Sequence, residues 1–262
     1  IVVIYLAAYL VRHSDQVQQD FAGFVKPIGV LVVVSALLLR EPDFGTAVVL
    51  FTAALGMLFL AGVPLFRFFF WGGTAFALVA AYSMQVAWRW QRYLAYRDPW
   101  ADPYDYGYQL TQALIAFGRG EWFGVGIGNS IQKLDYLPEV HTDFVFAVIG
   151  EELGLFGTVT IILLFVFLTL RILYLGGIAA RSNLKFAAYV TYGIGLLLGT
   201  QAFVNIGVNL GLLPTKGLPL PFLSYGNNNL VVTLAAMGLV CRSEFETRLA
   251  RGPLTKETTA LG

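Results

Sequence analysis

The chain has 262 residues, 57% of them hydrophobic and 13% charged, with a formal net charge of +1 and a mean hydropathy of +0.69. A soluble domain carries roughly twice that charged share, so composition excludes an ordinary water-soluble domain and points to one polytopic membrane bundle. The balanced charge offers no electrostatic footprint for nucleic acid. The lone Cys241, set in an apolar run, reads as a small hydrophobe rather than a disulfide or redox group.

Taken in chain order, the first apolar stretch is residues 1–10, which opens without a methionine and stops at Arg12-His13-Ser14-Asp15. It reads as the inside of a helix, so earlier helices are expected to be missing. A spanning helix needs about 20 mostly apolar residues. After a polar, amphipathic linker at 16–24, the candidates are 25–39, ended by Arg40-Glu41-Pro42-Asp43, then 44–61, broken by Gly62-Val-Pro64, then 65–86.

A polar and aromatic loop occupies 87–142. Inside it, Leu110, Ala113, Leu114 and Phe117 share one helical face, which predicts a short amphipathic helix at the membrane surface. The glycines between Gly118 and Gly128 predict a turn-rich loop. Further spans are predicted at 144–175, 186–208 and 218–240, followed by a polar tail from Arg242 to Gly262. The expected fold is all-α: a transmembrane bundle of about six or seven helices in one domain, 1–241, including the loop 87–142, with 242–262 as a cytoplasmic tail.

Basic residues in short connections set orientation. Arg12, Lys26, Arg171, Arg181, Lys185, Arg242, Arg248, Arg251 and Lys256 are consistent with cytoplasmic placement. The long loop, the Pro42-Asp43 turn and the Lys216 turn then share the outer side.

Asp143 stands where polar loop meets apolar helix. Partial desolvation there would raise its pKa toward neutral, as a general base needs; equally, Asp and Thr142 favour helix N-caps. Glu139 and His141 crowd the same spot. Glu151 and Glu152 lie about two turns deeper, with Glu151 about 80° around a regular helix from Asp143 and Glu152 on nearly the opposite face. Either one of them lines a cavity with Asp143 while the other pairs with a base, or each forms a purely structural ion pair that holds the bundle.

Arg89 and Arg92, at i and i+3, form either a phosphate clamp or a snorkelling pair beside Trp88 and Trp90. Asp98-Pro-Trp-Ala-Asp102-Pro is either a cation site or a rigid turn. Pro214-Thr-Lys216-Gly-Leu-Pro-Leu-Pro221-Phe-Leu-Ser224-Tyr-Gly226 is a broken lead into the last helix, of the kind tolerated at membrane depth beside a cavity or inside protein. No zinc spacing, Walker loop, dinucleotide fingerprint or nucleophile elbow occurs.

Taken together, Pro42-Asp-Phe-Gly-Thr46, Asp98-Pro-Trp-Ala-Asp-Pro103, Gly107-Tyr-Gln-Leu-Thr-Gln112, Gly126-Ile-Gly-Asn-Ser130, Lys133, Tyr136-Leu-Pro-Glu-Val-His-Thr-Asp143, Glu151-Glu-Leu-Gly154 and Pro214-Thr-Lys-Gly217 resemble the SEDS family of bacterial membrane proteins (shape, elongation, division and sporulation). The resemblance covers essentially the whole chain. Phe117-Gly-Arg-Gly-Glu121 and Gln132-Lys-Leu-Asp-Tyr136 are more similar to its division branch.

The resemblance implies a ten-helix fold with about three helices missing here, and polymerisation of lipid II (an undecaprenyl-linked disaccharide peptide) at the outer face of the bacterial cytoplasmic membrane, at the septum. It implies Asp143 as the essential acid. Arg89, Arg92, Lys133 and Lys216 would face the pyrophosphate, with Glu139, His141, Thr142, Glu151 and Ser224 in support. The implied partners are a class B penicillin-binding transpeptidase, other division proteins and membrane lipid. No metal ligand set is demanded, although a divalent cation such as magnesium would suit the pyrophosphate. The sequence departs from the family at Asn227-Asn-Asn229, where relatives carry glycine and small hydroxyl residues. A lipid II flippase and a non-catalytic scaffold that recruits a transpeptidase remain the alternatives.

Overall fold

In the computed structural model, the described residues are 1–41, 43–64, 66, 70, 73–74, 96–215 and 217–251. Eight α-helices lie among them: α1 (Val2–Arg12), α2 (Ser14–Gln19), α3 (Phe21–Arg40), α4 (Phe44–Leu60), α5 (Tyr108–Gly120), α6 (Val145–Arg181), α7 (Lys185–Asn209) and α8 (Asn227–Arg251). A single π-helical turn spans Gln132–Tyr136. Three helices, α3, α6 and α7, are long and apolar enough to cross a membrane.

α7 is the hub, packing against α1, α4, α5, α6 and α8. In its membrane-length window 50% of residues are buried, against 11% for α6, so α7 is interior and α6 turns most of its surface outward. In lipid, apolar burial drives little, and helices associate through close packing. The small residues of α7 permit this. A β-carbon on Gly193 would meet Met57 and Val3, and one on Gly199 would meet Thr169. The main core joins Leu6, Leu10, Phe24, Met57, Ile172, Ile194 and Leu198. A smaller core beneath the outer loop joins Ala113, Ala116, Leu137, Val140, Phe144 and Val208.

Local chemistry accounts for the helix ends and interruptions. The Asp43 side chain caps α4, accepting from the Thr46 N–H at 3.0 Å, as an N-cap aspartate should. Pro27 inside α3 has no N–H for the carbonyl four residues back. That carbonyl belongs to Gly23, and the Tyr9 hydroxyl donates to it instead at 2.8 Å.

Several predicted boundaries are corrected. The linker predicted at 16–24 is helical, split between α2 and α3 at Asp20, whose backbone is extended. The last helix begins at Asn227 and not at 218, because Pro219 and Pro221 hold the preceding chain out of the helix. It also runs on to Arg251, where the tail was expected to begin at Arg242, and the i, i+4 pairs Arg242–Glu246 and Arg248–Glu244 support the extension. The span predicted at 65–86 falls largely outside the described residues.

The span predicted at 144–175 reaches Arg181 and is not one helix. Its two halves meet at Gly154, whose φ of 65° and ψ of −160° no other residue adopts readily. The backbone of residues 121–126 fills the break. Val125 and Gly126 donate N–H groups to the carbonyls of Glu151 and Glu152 at 3.0 and 3.1 Å. Leu155 and Phe156 donate to the carbonyls of Glu121 and Trp122 at 2.9 and 3.2 Å. The main-chain groups freed by the break are thereby satisfied within protein, which a membrane-embedded interruption requires.

Candidate active site at Asp143

Asp143 lies one residue before the helical N-cap Phe144, in the turn that leads into α6. The turn is built on Glu139, a non-glycine residue at φ 55°. Its carbonyl collects the N–H groups of Thr142, Asp143 and Phe144 at 3.1, 3.0 and 3.3 Å. The Thr142 hydroxyl donates to the Glu139 carboxylate at 2.8 Å.

Two neighbouring segments hold this turn. From α7, Asn205 and Asn209 donate their amides to the Asp143 carbonyl at 2.8 and 2.9 Å. Asn209 also accepts the Ala147 N–H at 3.1 Å. Both asparagines are fully buried. From the segment before α8, the buried Ser224 hydroxyl donates to the Thr142 carbonyl and accepts the Leu220 N–H at 2.6 Å. The Tyr225 N–H donates to the His141 carbonyl at 2.8 Å, while the His141 side chain stays exposed.

With its backbone fixed, the half-buried Asp143 carboxylate points at Gly217. A β-carbon on Gly217 would stand 2.7 Å from Oδ2, so any larger residue there would have to displace the carboxylate. The Asp143 pKa is pushed up to about 6, first by burial and then by the negative charges of Glu139 and Asp43. A carboxylate tuned toward neutral and held through its backbone can accept a proton near physiological pH.

Glu151 and Glu152 do not join this site. Helix α6 starts at Val145, and the fully buried Glu151 turns toward the outer loop. It accepts from Arg119 Nη1 at 2.6 Å, from the Ile131 and Gln132 N–H groups at 3.1 and 3.3 Å, and from the Ser130 hydroxyl. Of the two readings of these acids, the shared cavity with Asp143 gives way to the structural ion pair: both pair with bases. The reason is the break at Gly154, which puts both acids in the last turn of a half-helix, where the dipole disfavours anions and cations and N–H donors must compensate. Lys133 Nζ meets Glu152 Oε1 at 3.0 Å and also donates to the Gly128 carbonyl, so it ties the loop to α6.

Arg89, Arg92 and Lys216 fall outside the described residues. The Asp98–Asp102 segment forms turns: the Ala101 N–H donates to the Asp98 carbonyl, and the Thr111 hydroxyl donates to the Pro99 carbonyl. Among the described residues no group of three His, Cys, Asp or Glu side chains converges as a cation site. Of the three asparagines at 227–229, the first two are exposed. The Asn229 Nδ2 is buried without a partner among the described residues.

Residues the sequence reading passed over are Asn205, Asn209, Arg119 and Ser130. The two asparagines had a signal: amides at i and i+4 in an otherwise apolar span are costly unless they hydrogen-bond something specific.

The fold and site define a multi-pass membrane protein with a carboxylate held at the end of its bundle. Residues 1–249 match the cell cycle protein family of FtsW, RodA and SpoVE. The chain is 53% identical over 249 residues to the probable peptidoglycan glycosyltransferase FtsW of Nitrosococcus halophilus, covering 95% of this chain and 64% of that protein. It is 54% identical over 251 residues to that of Pseudomonas fluorescens, covering 96% and 62%. It thus spans less than two thirds of these relatives' own lengths.

Among solved structures, it superposes with a TM-score of 0.73 and 29% identity on a chain of a peptidoglycan synthase complex that coordinates polymerization and crosslinking, covering 94% of this chain and 68% of that one. A mutant of the Thermus thermophilus rod shape determining protein RodA shares the fold, with a TM-score of 0.61 at 24% identity over 94% and 66%. The chain belongs to the FtsW, RodA and SpoVE family.

Proposed function

We propose that the protein carrying this chain is a peptidoglycan glycosyltransferase that polymerises lipid II during septal wall synthesis in the cytoplasmic membrane. The observation that carries the proposal is the Asp143 carboxylate: pinned through its backbone by Asn205 and Asn209, pressed against Gly217, and raised to about 6. The glycosyltransferase activity ascribed to these relatives supports the same reading.

Asp143 takes the proton from the acceptor sugar's 4-hydroxyl as that oxygen attacks the donor's anomeric carbon. The bond from that carbon to the pyrophosphate oxygen breaks, and the lipid diphosphate leaves with the electron pair. Its negative charge is the largest to be stabilised, and Arg89, Arg92 and Lys216 are the proposed counter-charges. Lys133, engaged with Glu152, is assigned to holding the loop. A divalent cation at the leaving diphosphate is proposed on the chemistry of that group alone, and titration of activity with a chelator tests it.

The likeness to a synthase complex that couples polymerization and crosslinking supports a class B penicillin-binding transpeptidase as partner, together with other division proteins. A broken helix such as α6 also suits a transporter. Here the loop backbone occupies the break, which favours the enzyme.

The test is polymerisation of fluorescent lipid II by purified full-length protein. Asp143→Asn should fold, insert and make no chains. Normal chain lengths from that variant would refute the assignment, and transbilayer movement of lipid without polymer would favour the flippase.

A further inference from the structure

At the end of the bundle away from Asp143, α6 and α8 enclose a cavity of about 260 Å³. Arg171, Tyr174 and Leu175 line it from α6, and Glu244, Arg248 and Arg251 from α8. Arg171 lies well beyond the break at Gly154, about 25 Å along the distal half of α6. Arg181, Lys185 and Arg242 gather at the same end, as cytoplasmic placement requires.

The charge of the lining is unbalanced. Three guanidinium groups face one carboxylate, Glu244, and that one is taken by Arg248 at 2.5 Å. Arg251 Nε donates to the Ser182 hydroxyl at 3.0 Å. Arg171 lies over the Tyr174 ring, 5.5 Å from its centroid. Among the described residues neither Arg171 nor Arg251 forms an ion pair with a carboxylate. Two guanidinium forks so placed on facing helices match the oxygens of a phosphate group.

Apart from Thr247, the remaining wall is made by Tyr174, Leu175 and Ile178. Tyr174 continues the outward surface of α6, where Phe167 and Leu170 are 67% and 61% exposed. A free phosphate ion has no use for such a wall, whereas an acyl chain does. Basic pockets between helices on the cytoplasmic side are suited to anionic lipid head groups. We propose that this cavity binds the phosphate of an anionic phospholipid of the cytoplasmic leaflet, with Arg171 and Arg251 as its principal contacts and the acyl chain lying along Leu170 and Phe167.

The test uses delipidated full-length protein, with phosphatidylglycerol, phosphatidylcholine of the same chains, and inorganic phosphate as separate probes. Native mass spectrometry should show phosphatidylglycerol retained at least about fivefold over phosphatidylcholine. The Arg171→Ala/Arg251→Ala double variant should lose that preference. Arg181→Ala/Lys185→Ala, at exposed bases outside the cavity, should keep it. Equal retention of the two lipids, or equal loss in both double variants, overturns the site. Competition by millimolar inorganic phosphate with equal protection against thermal unfolding overturns the lipid assignment. A photoreactive phosphatidylglycerol on unaltered protein provides a readout independent of variant folding. Label on peptides containing 171–178 and 244–251 supports the proposal, and label elsewhere refutes it.

Discussion

Asn209 follows Asp143 by 66 residues and donates its amide to that residue's carbonyl at 2.9 Å, while its own carbonyl accepts the Ala147 N–H at 3.1 Å. One buried side chain thus joins the proposed base to the first turn of α6. Asn209→Leu keeps the branched side-chain skeleton and removes both bonds. We predict that it lowers polymerisation by roughly 10- to 100-fold, through misplacement of the carboxylate, in protein that still inserts. Comparing chain formation with the amount of folded protein checks this.

The raised pKa of Asp143 fixes the sign of two pH effects. As a base it works ionised, so activity should climb through about pH 6 and level off above it. For stability the sign is opposite. Folding favours the neutral acid, so that contribution is fully present below the ordinary 3.8 and is lost as pH rises through about 6. Asp143→Asn should therefore raise the thermal midpoint at pH 8 and leave it nearly unchanged at pH 4. Unfolding scans at the two values decide this.

Gly217 allows the chain to pass against Oδ2 of Asp143, and an added β-carbon would stand 2.7 Å away. Gly217→Ala should cut turnover by about tenfold or more with expression unchanged. Assaying purified variant beside Asp143→Ala, expected to lose at least about 100-fold, separates a displaced base from an absent one.

The Arg119–Glu151 pair joins a partly exposed guanidinium to a carboxylate with no exposure. Removing one partner of a buried pair costs about 3 kcal/mol. Some of that is spared here because Ser130, Ile131 and Gln132 also donate to Glu151. Arg119→Ala should destabilise the outer loop, and the double variant Arg119→Ala/Glu151→Gln should recover part of the loss. A double-mutant cycle on denaturant midpoints measures the coupling.

Hydropathy alone located α3, α4 and α7 to within a few residues, because a span leaves a long apolar run in the chain, but it misplaced the end of α6 and both ends of α8. The Asp143 turn was legible for the same reason: ionisable groups stand out against such a run. The break at Gly154 was not, since Glu151-Glu-Leu-Gly154 fits a continuous helix as well as a broken one, and a positive φ leaves no mark in composition. The partners of Glu151 and Glu152 lie 19 to 32 residues upstream, and only the insertion of residues 121–126 brings them close. Pro219 and Pro221 could have placed the start of α8, had their effect on backbone outweighed the apolar residues between them.

Residues 121–126 leave the ribosome before the distal half of α6 does, yet that half finds acceptors for its first amides on them. The joint can therefore close only after both segments are in place. Folding of this bundle thus has a late step in which an earlier stretch of chain completes a helix that follows it. Gly154→Ala should stall that step, giving protein that inserts but stays open to protease at 120–135.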